Sequence, residues 1–332
     1  MGFHMFARMA IGCFVSCLCA SPLAHAAGGA GDTASGAPAA PSIAQQEVQV
    51  AAAGVAAGDP LKEARLKEGL VPPGYCLVWG DEFNELALDA RPPWSSYFRS
   101  WNTRHLAGNG DEGVKLHDDM VLSNGATVGT ALRQDGRWGN RTHFLHDPSQ
   151  GTLKLRAFPV SEELRPQVWG FPYVASMISA DLAPGQVYGY WEIRARINAI
   201  GAGHHLAFWL LPDDGSWPPE VDIFEVVGPK PTEFSANLHL PAGQAKPGMT
   251  FYQEPPTPDG FHTFAFEWTP TTMRWLIDGK VIRTHPNYLP AKPLHPLISW
   301  EIGSNWPGKP DQTTPWPAEA EIDYIRVYKK SP

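Results

Sequence analysis

The stretch Glu220-Val221-Asp222-Ile223-Phe224-Glu225, EVDIFE in one-letter code, places three carboxylates in six positions of an otherwise apolar, β-prone run. Side chains in a β-strand alternate between faces, so Glu220 and Asp222 point the same way. Strict alternation would leave Glu225 on the opposite face. A β-bulge, in which two residues oppose one on the neighbouring strand, would bring Glu225 back to the face of the other two. The sequence therefore predicts a bulged strand, with Phe224 as the expected extra residue.

Three carboxylates on one strand face repel each other and oppose burial, so stability alone gives no reason to collect them. Two structural alternatives are a solvated strand face and an edge strand kept charged against aggregation. The apolar runs at 205–211 and 226–228 instead indicate a strand in the middle of a sheet. A functional role for the carboxylates is therefore the favoured interpretation.

Composition limits the classes of function. The chain has 332 residues, of which 43% are apolar and 11% aromatic, enough for a sizeable core. A formal net charge of -8 argues against nucleic acid or an anionic membrane as the main partner and leaves neutral ligands open. The 13 tryptophans suit a large sandwich core or a row of stacking platforms for sugars.

The N-terminal residues are typical of an export signal. Arg8 precedes an apolar run at 9–20, and Ala24-His25-Ala26 fits a cleavage site flanked by small residues. We predict a signal peptide at 1–26, an Ala/Gly/Pro-rich linker at 27–70 and one domain at 71–332. The apolar run is too short for a membrane span, so a secreted or periplasmic monomer is expected.

The remaining sequence indicates an all-β fold. Short β-like runs alternate with Gly, Pro, Asn and Asp clusters, and no helical period extends over a dozen residues after Leu70. This pattern predicts a sandwich or barrel. The clearest expected strands are 153–158, 187–197, 205–211, 220–226, 235–240, 261–269, 274–285 and 320–329, and 274–285 is a hairpin turning at Asp278-Gly279.

The carboxylates of EVDIFE suit glycoside hydrolysis, which needs two carboxyl groups flanking the sugar linkage. With a bulge, Glu220 and Glu225 lie effectively four positions apart, about 13 Å along the strand at roughly 3.3 Å per residue. Leaning together, they could approach the roughly 5 to 5.5 Å of a retaining enzyme, and the wider gap of an inverting enzyme stays open. Asp222 lies between them and can help keep one carboxyl protonated.

The pattern Glu220-x-Asp222-x-x-Glu225 resembles the bulged signature of glycoside hydrolase family 16, in its laminarinase-like branch. Further blocks that resemble the family follow in the same order along the chain, at 81–83, 188–192, 207–210, 217–218, 261–263, 267–270 and 322–328. The resemblance implies a jelly-roll sandwich of two antiparallel sheets, concanavalin A-like, with an open cleft on the concave face. It also implies that Glu220 is the nucleophile, Asp222 its assistant and Glu225 the acid/base, without a catalytic cofactor.

Supporting residues follow from the same resemblance. Trp217 is expected to supply a flat face under a sugar ring. The other candidates for substrate binding are Trp209, His239, Asn102 and Trp101. Core packing is the alternative for the tryptophans, and a histidine satisfied in place is the alternative for His239.

A structural calcium ion on the convex face is a separate implication of the family. The expected ligands are Asp323, Gly151 and Glu82. An ordinary surface charge explains Asp323 without any ion.

The chain also departs from the family. His204-His205 stands where members often carry Trp-Pro, and Ser299 stands where an Asn is common, followed by Trp300-Glu301. These positions are expected to line the cleft, so they bear on the substrate more than on the mechanism.

The sequence thus predicts a secreted retaining endo-β-glycosidase that acts on a polysaccharide, foremost a β-1,3 or mixed-linkage β-glucan. The alternatives are a galactan hydrolase or transglycosylase of the same family and a non-catalytic lectin on the same fold. A lectin has no need of a nucleophile together with a proton donor, so the complete carboxylate set favours an enzyme.

Overall fold

The structure is a computed structural model that describes residues 72–89, 93–135, 142–244, 248–252 and 260–332. The predicted signal peptide, the predicted linker and the predicted boundary at residue 71 lie outside the described residues and stay predictions. Residues 77–330 form one compact unit. No helix within the described ranges has both the length and the apolar character needed to cross a bilayer.

Strands dominate the described residues. They are β1 (Tyr75–Asp81), β2 (Gly113–Lys115), β3 (Phe144–Asp147), β4 (Thr152–Pro159), β5 (Tyr173–Ala175), β6 (Met177–Ser179), β7 (Gly189–Ala199), β8 (His204–Pro212), β9 (Glu220–Val227), β10 (Phe234–His239), β11 (Thr250–Tyr252), β12 (His262–Trp268), β13 (Thr272–Ile277), β14 (Lys280–Pro286), β15 (Leu294–Ile302) and β16 (Ala318–Lys330). One α-helix, α1 (Val128–Asp135), and three 3-10 helices lie between them, the latter at Arg99–Trp101, Ala107–Asn109 and Arg165–Val168.

The strands form two sheets. The larger sheet has the order β14-β13-β12-β7-β16-β4-β5-β2, with β1 also paired to β16 and β3 to β4. The smaller sheet has the order β11-β10-β9-β8-β15-β6. EVDIFE is therefore β9, an inner strand of the smaller sheet, as its apolar flanks predicted.

The main hydrophobic core takes residues from both sheets. Trp191, Ile193, Ala195 and Ile197 alternate along β7 into this core, and the rings of Phe224 on β9 and Phe264 on β12 lie 4.4 Å apart. Burial of one face of each sheet against the other explains the period-two pattern of the strands.

The hairpin predicted at Asp278-Gly279 joins β13 to β14. Asp278 has φ 47° and Gly279 has φ 73°, and positive φ at both central residues is what a two-residue hairpin turn requires.

β15 and α1 are among the elements that the sequence analysis did not predict. β15 is paired on both sides, with β8 and β6, although Pro296 lies within it and a proline in such a run argues against an inner strand. Pairing with β6 begins at Leu297, one residue after the proline. α1 has eight residues, so it is compatible with the expectation that no helical period extends over a dozen residues after Leu70.

Candidate active site

The smaller sheet forms the floor of a cavity of about 630 Å³. Glu220, Asp222 and Glu225 all line this cavity. Val221 and Phe224 point the other way into the core between the sheets. The three carboxylates therefore share one face of β9, as the sequence analysis required.

A β-bulge produces this arrangement. Against β10, Glu225 pairs with Ser235 and Asp222 pairs with Asn237, so two residues of β9 oppose the single residue between them. Against β8, Phe224 pairs with Phe208 and Asp222 pairs with Trp209, which leaves Ile223 without an opposite residue.

The bulge itself is confirmed, but the expectation that Phe224 is the extra residue was wrong. Ile223 is the residue that the β8 ladder skips. Both Ile223 and Phe224 are buried in the core, where the ring of Phe224 packs against Phe208 and Phe264. These ring contacts hold Phe224 in register, and the smaller aliphatic side chain takes the irregular position.

An indole group from the other sheet supports the bulge. Trp275 on β13 donates a hydrogen bond from Nε1 to the backbone carbonyl of Asp222 over 2.9 Å. Trp275 is fully buried. The larger sheet thus fixes the backbone of β9 between the two glutamates.

Glu220 is held at its carboxylate by two side chains. Trp217 Nε1 donates to Glu220 Oε2 over 2.8 Å, and His239 Nε2 lies 3.4 Å from Glu220 Oε1. Burial and the neighbouring charge of Asp222 raise the pKa of Glu220 well above its ordinary value, although the hydrogen bond from Trp217 opposes the rise.

Asp222 lies deeper, with 2% of its surface exposed. Its Oδ2 atom is 3.3 Å from His239 Nε2 and receives no hydrogen bond from the residues that the structure describes. Asp222 therefore acts on its neighbours mainly through its charge.

Glu225 has a different set of neighbours. Ser235 Oγ donates to Glu225 Oε2 over 3.2 Å, and His205 Nε2 lies 3.3 Å from Glu225 Oε1. Burial and the charge of Asp222 raise the pKa of Glu225, while His205 and Ser235 act in the opposite direction. The two glutamates are thus chemically distinct, because different side chains contact them.

Four of the five predicted substrate-binding residues line the cavity, namely Trp217, Trp209, His239 and Trp101. Trp217 is 56% exposed and offers a free ring face. Trp209 is buried at 4%, packs among Phe98 and Trp101, and donates to Ser299 Oγ over 3.1 Å. The alternative of core packing therefore describes Trp209 better than a stacking role.

Asn102 is not among the residues that line the cavity. It caps the 3-10 helix Arg99–Trp101 with φ 48°, and its backbone N–H bonds to the carbonyl of Arg99. Asparagine tolerates this left-handed conformation, which gives the residue a local role that the sequence analysis missed.

The cavity also contains residues that were not proposed as ligands. His205 and Glu301 lie on its floor, and Trp306, 41% exposed, lies at its side with its ring 5.1 Å from that of His205. The departures from the family at His204-His205 and Trp300-Glu301 were the available signal. They did not tell which member of each pair faces the cavity.

A family model gives independent information on this site. The model of glycosyl hydrolases family 16 matches residues 138–326, more than half of the chain and including all of β9. The chain belongs to this family.

Curated relatives of this family member are moderately similar. The endo-1,3-1,4-beta-glycanase EglC of Rhizobium meliloti (strain 1021) is 30% identical over 181 residues, which cover 54% of this chain and 38% of the relative. A beta-glucanase of Rhodothermus marinus is 26% identical over 282 residues, covering 77% of this chain and 86% of the relative. The chain thus spans well under half the length of the Rhizobium relative.

A solved structure shares the fold. The laminarinase catalytic domain from Thermotoga maritima MSB8 superposes with a TM-score of 0.61 at 24% identity, covering 78% of this chain and 99% of that domain. The predicted class, a jelly-roll sandwich of two sheets, is confirmed.

The calcium ligands implied by family 16 were Asp323, Gly151 and Glu82. Gly151 does lie beside Glu82, since a Cβ on this glycine would stand 3.0 Å from the Glu82 carbonyl oxygen. Both carboxylates are already paired with guanidinium groups, Asp323 with Arg194 over 2.6 Å and Glu82 with Arg326 over 2.7 Å. The family holds this ion with backbone oxygens and an aspartate, so the pairing that matters is that of the Asp323 carboxylate with Arg194, which disfavours a calcium ion here.

Another donor set lies in the cavity. Within the described ranges, one group of three side chains could hold a metal ion, and it consists of Glu220, Asp222 and His239, whose donor atoms lie within 4.8 Å of one another. Glu220 is the first carboxylate of EVDIFE, and Asp222 and His239 are the two side chains beside it.

Proposed function

We propose that this chain is a secreted retaining endo-β-glycosidase that hydrolyses internal linkages of a polysaccharide, a β-1,3 or mixed-linkage β-glucan. The observation that carries the proposal is the placement of Glu220 and Glu225 on one face of the bulged strand, in one cavity and with different neighbours. The β-glucan preference is supported by the relatives from Rhizobium meliloti and Rhodothermus marinus, which are named as a β-glycanase and a β-glucanase. Secretion is supported by the signal-like residues 1–26.

In this proposal Glu220 is the nucleophile. Its carboxylate attacks the anomeric carbon while the bond from that carbon to the leaving oxygen breaks, and a covalent glycosyl ester forms. The indole N–H of Trp217 holds Oε2 of Glu220, and Oε1 lies 3.4 Å from His239 Nε2.

Glu225 is the acid/base. In the first step it gives its proton to the leaving oxygen, and in the second step it removes a proton from the water that breaks the ester. A raised pKa suits the first step, because a general acid has to hold its proton near neutral pH. The pKa of Glu220 is raised as well, so the two roles are assigned from the resemblance to the family signature and not from the pKa directions. The chemistry uses carboxyl groups alone and needs no catalytic cofactor.

Exposed aromatic rings suit the expected substrate. Trp217 and Trp306 present ring faces at the cavity, and such faces stack against the apolar faces of sugars. The chain's negative charge also fits a neutral polymer better than nucleic acid. We expect the enzyme to act as a monomer.

The test compares the wild type with Glu220→Gln and Glu225→Gln on laminarin and lichenan, with new reducing ends as the readout. Each substitution should lower turnover by about 10²- to 10⁴-fold, since it removes a reacting group while keeping the side-chain volume. Glu162→Gln, at an exposed glutamate paired with Arg165, is the matched control and should retain full activity. Circular dichroism should report the same fold for all four proteins.

Near-normal turnover in either active-site variant would refute the assignment of roles. A wild type that binds these glucans without cutting them would instead favour the lectin. Cleavage of agarose in place of the glucans would favour the galactan hydrolase.

A further inference from the structure

His205 and Glu301 come together on the floor of the cavity from strands almost a hundred positions apart. The two residues stand directly opposite each other in the β8–β15 ladder. Both line the cavity, yet only 6% of His205 and 5% of Glu301 is exposed. Two groups that can carry charge are thus buried together beside the reacting carboxylates, which is costly unless they are paired.

Both nitrogens of His205 face carboxylates. Nδ1 lies 3.4 Å from Glu301 Oε2, and Nε2 lies 3.3 Å from Glu225 Oε1, so both nitrogens are within ion-pair distance of a carboxylate, while Nε2 makes no hydrogen bond to the residues that the structure describes. A neutral imidazole can donate from one nitrogen only, whereas the imidazolium donates from both. The arrangement therefore favours a protonated His205 between two carboxylates.

The charges around His205 agree with this protonation state. Glu225 faces it from β9 and Glu301 from β15, while Lys115 of β2 acts on Glu301 from behind. Burial alone would lower the pKa of His205, but the two carboxylates outweigh burial and raise this pKa to about 10.

The neighbouring histidine provides a contrast. His204 is fully buried on the opposite face of β8, with its ring against Trp316 and Trp300. Its Nδ1 accepts a hydrogen bond from the backbone N–H of Gly201 over 3.1 Å. Burial lowers the pKa of His204 to about 4, so one of two consecutive histidines is neutral and the other charged.

We propose that His205, clamped between Glu301 and Glu225, is a positioning residue that orients Glu225 and favours its ionised form in the water-activating half of the reaction. This inference rests on the proposed function. An acid/base has to release its proton in the first step and accept one in the second, so its carboxylate must not be too hard to form. Burial and Asp222 oppose ionisation of Glu225, and the adjacent imidazolium compensates for them.

The kinetic test compares His205→Gln with His204→Gln, the same substitution at adjacent positions. Loss of the cation should raise the pKa of Glu225, so the alkaline limb of kcat/KM should move to higher pH in His205→Gln. We expect kcat at neutral pH to fall about 10-fold, because the buried Glu225 carboxylate loses its close cationic partner. His204→Gln should leave the alkaline limb in place, with both variants assayed well below their melting temperatures.

A second measurement does not depend on activity. In the wild type, ¹⁵N NMR at pH 7.5 should identify the His205 ring as an imidazolium, and Glu301→Gln should lower the pH at which this ring loses its proton. The substitution keeps the shape of the side chain while removing the charge that faces Nδ1.

An unmoved alkaline limb in His205→Gln, or a neutral His205 ring at pH 7.5 in the wild type, would overturn the inference. Either of these two results can be distinguished from a failure of the proposed function. If Glu225→Gln is inactive while His205→Gln matches the wild type in rate and pH profile, the positioning role fails and the function stands. If the wild type cuts no polymer while Glu225 is intact, the function fails regardless of the NMR result.

Discussion

Burial of Glu220 and Glu225 lowers the stability of the folded chain at pH values where an exposed carboxyl would be ionised. Each is raised in pKa by burial and by the charge of Asp222, so each resists ionisation in the folded chain. A group whose pKa is higher in the folded state keeps protons that the unfolded chain releases. The stability that depends on this group is present at low pH and is lost as the pH rises from the ordinary carboxyl pKa through the raised one.

Because the raised pKa of Glu220 lowers stability at high pH, we predict that a substitution that inactivates the enzyme at this position stabilises the protein. Glu220→Gln cannot ionise and should raise the melting temperature at pH 8 by roughly 2–4 °C, corresponding to about 1 kcal/mol. The difference from the wild type should shrink as the pH falls below the ordinary carboxyl pKa, where Glu220 is protonated in both the folded and the unfolded chain. Scanning calorimetry at several pH values measures this.

The exposed Glu162→Gln variant is the control and should change stability by less than about 0.5 kcal/mol at any of these pH values. A Glu220→Gln variant less stable than the wild type at pH 8 would contradict the charge argument.

Some of the site was predictable at the level of residues, because the information was local. The spacing of Glu220, Asp222 and Glu225 along one strand sufficed to place them together. His205 and Glu301 depend on how three strands from distant parts of the sequence pair, which no local pattern contains. Asn102 caps a 3-10 helix with a left-handed backbone, and this conformation leaves no pattern in the sequence either.

Among the elements, the bulged strand β9 is the decisive one. Its hydrogen bond from Trp275 to the Asp222 carbonyl ties the irregular backbone to the opposite sheet. The need for a bulge could be read from the spacing of the carboxylates. The identity of the extra residue could not, because Ile223 and Phe224 are both apolar and both buried.

We predict that Trp275→Phe impairs activity as well as stability. The carbonyl of Asp222 would lose its buried donor, at a cost of about 1–3 kcal/mol. Relaxation of the bulge would also displace the carboxylates, and we expect turnover to fall about 10-fold or more. Denaturant unfolding and steady-state kinetics give the two values.

Trp268→Phe is the matched variant for this experiment. Trp268 is equally buried in the same core, and its Nε1 donates over 2.9 Å to Asn287, remote from β9. The Trp268→Phe variant should lose a similar free energy of unfolding and keep the kcat of the wild type. Equal losses of kcat in both variants would show that Trp275 has no specific role at the bulge.

For the whole molecule, the pairing of the Asp323 carboxylate with Arg194 predicts that no structural calcium is needed. A bound ion would add about 2.7 kcal/mol at a hundredfold excess over its Kd. EDTA should therefore leave the melting temperature unchanged, and adding CaCl₂ afterwards should not raise it. A fall of several degrees that calcium reverses would show that the arginine pairs give way to the ion.

The class of the whole fold was accessible from the sequence, because alternation of apolar residues follows directly from burial of one sheet face against another. The complete strand order was not accessible from the sequence. β15 supplies Glu301 to the cavity floor, yet the sequence did not reveal this strand, since local rules assign a run that contains a proline, here Pro296, to an edge. Tertiary pairing with β8 overrides that preference.

The central claim is that Glu220 attacks the sugar and Glu225 serves as both acid and base. Proton NMR of the anomeric signals in the first minutes of lichenan digestion tests it most directly, because two displacements retain the configuration and one inverts it. Double displacement predicts that the β-anomer of the product forms first and that the α-anomer appears later by mutarotation. Initial release of the α-anomer would contradict it.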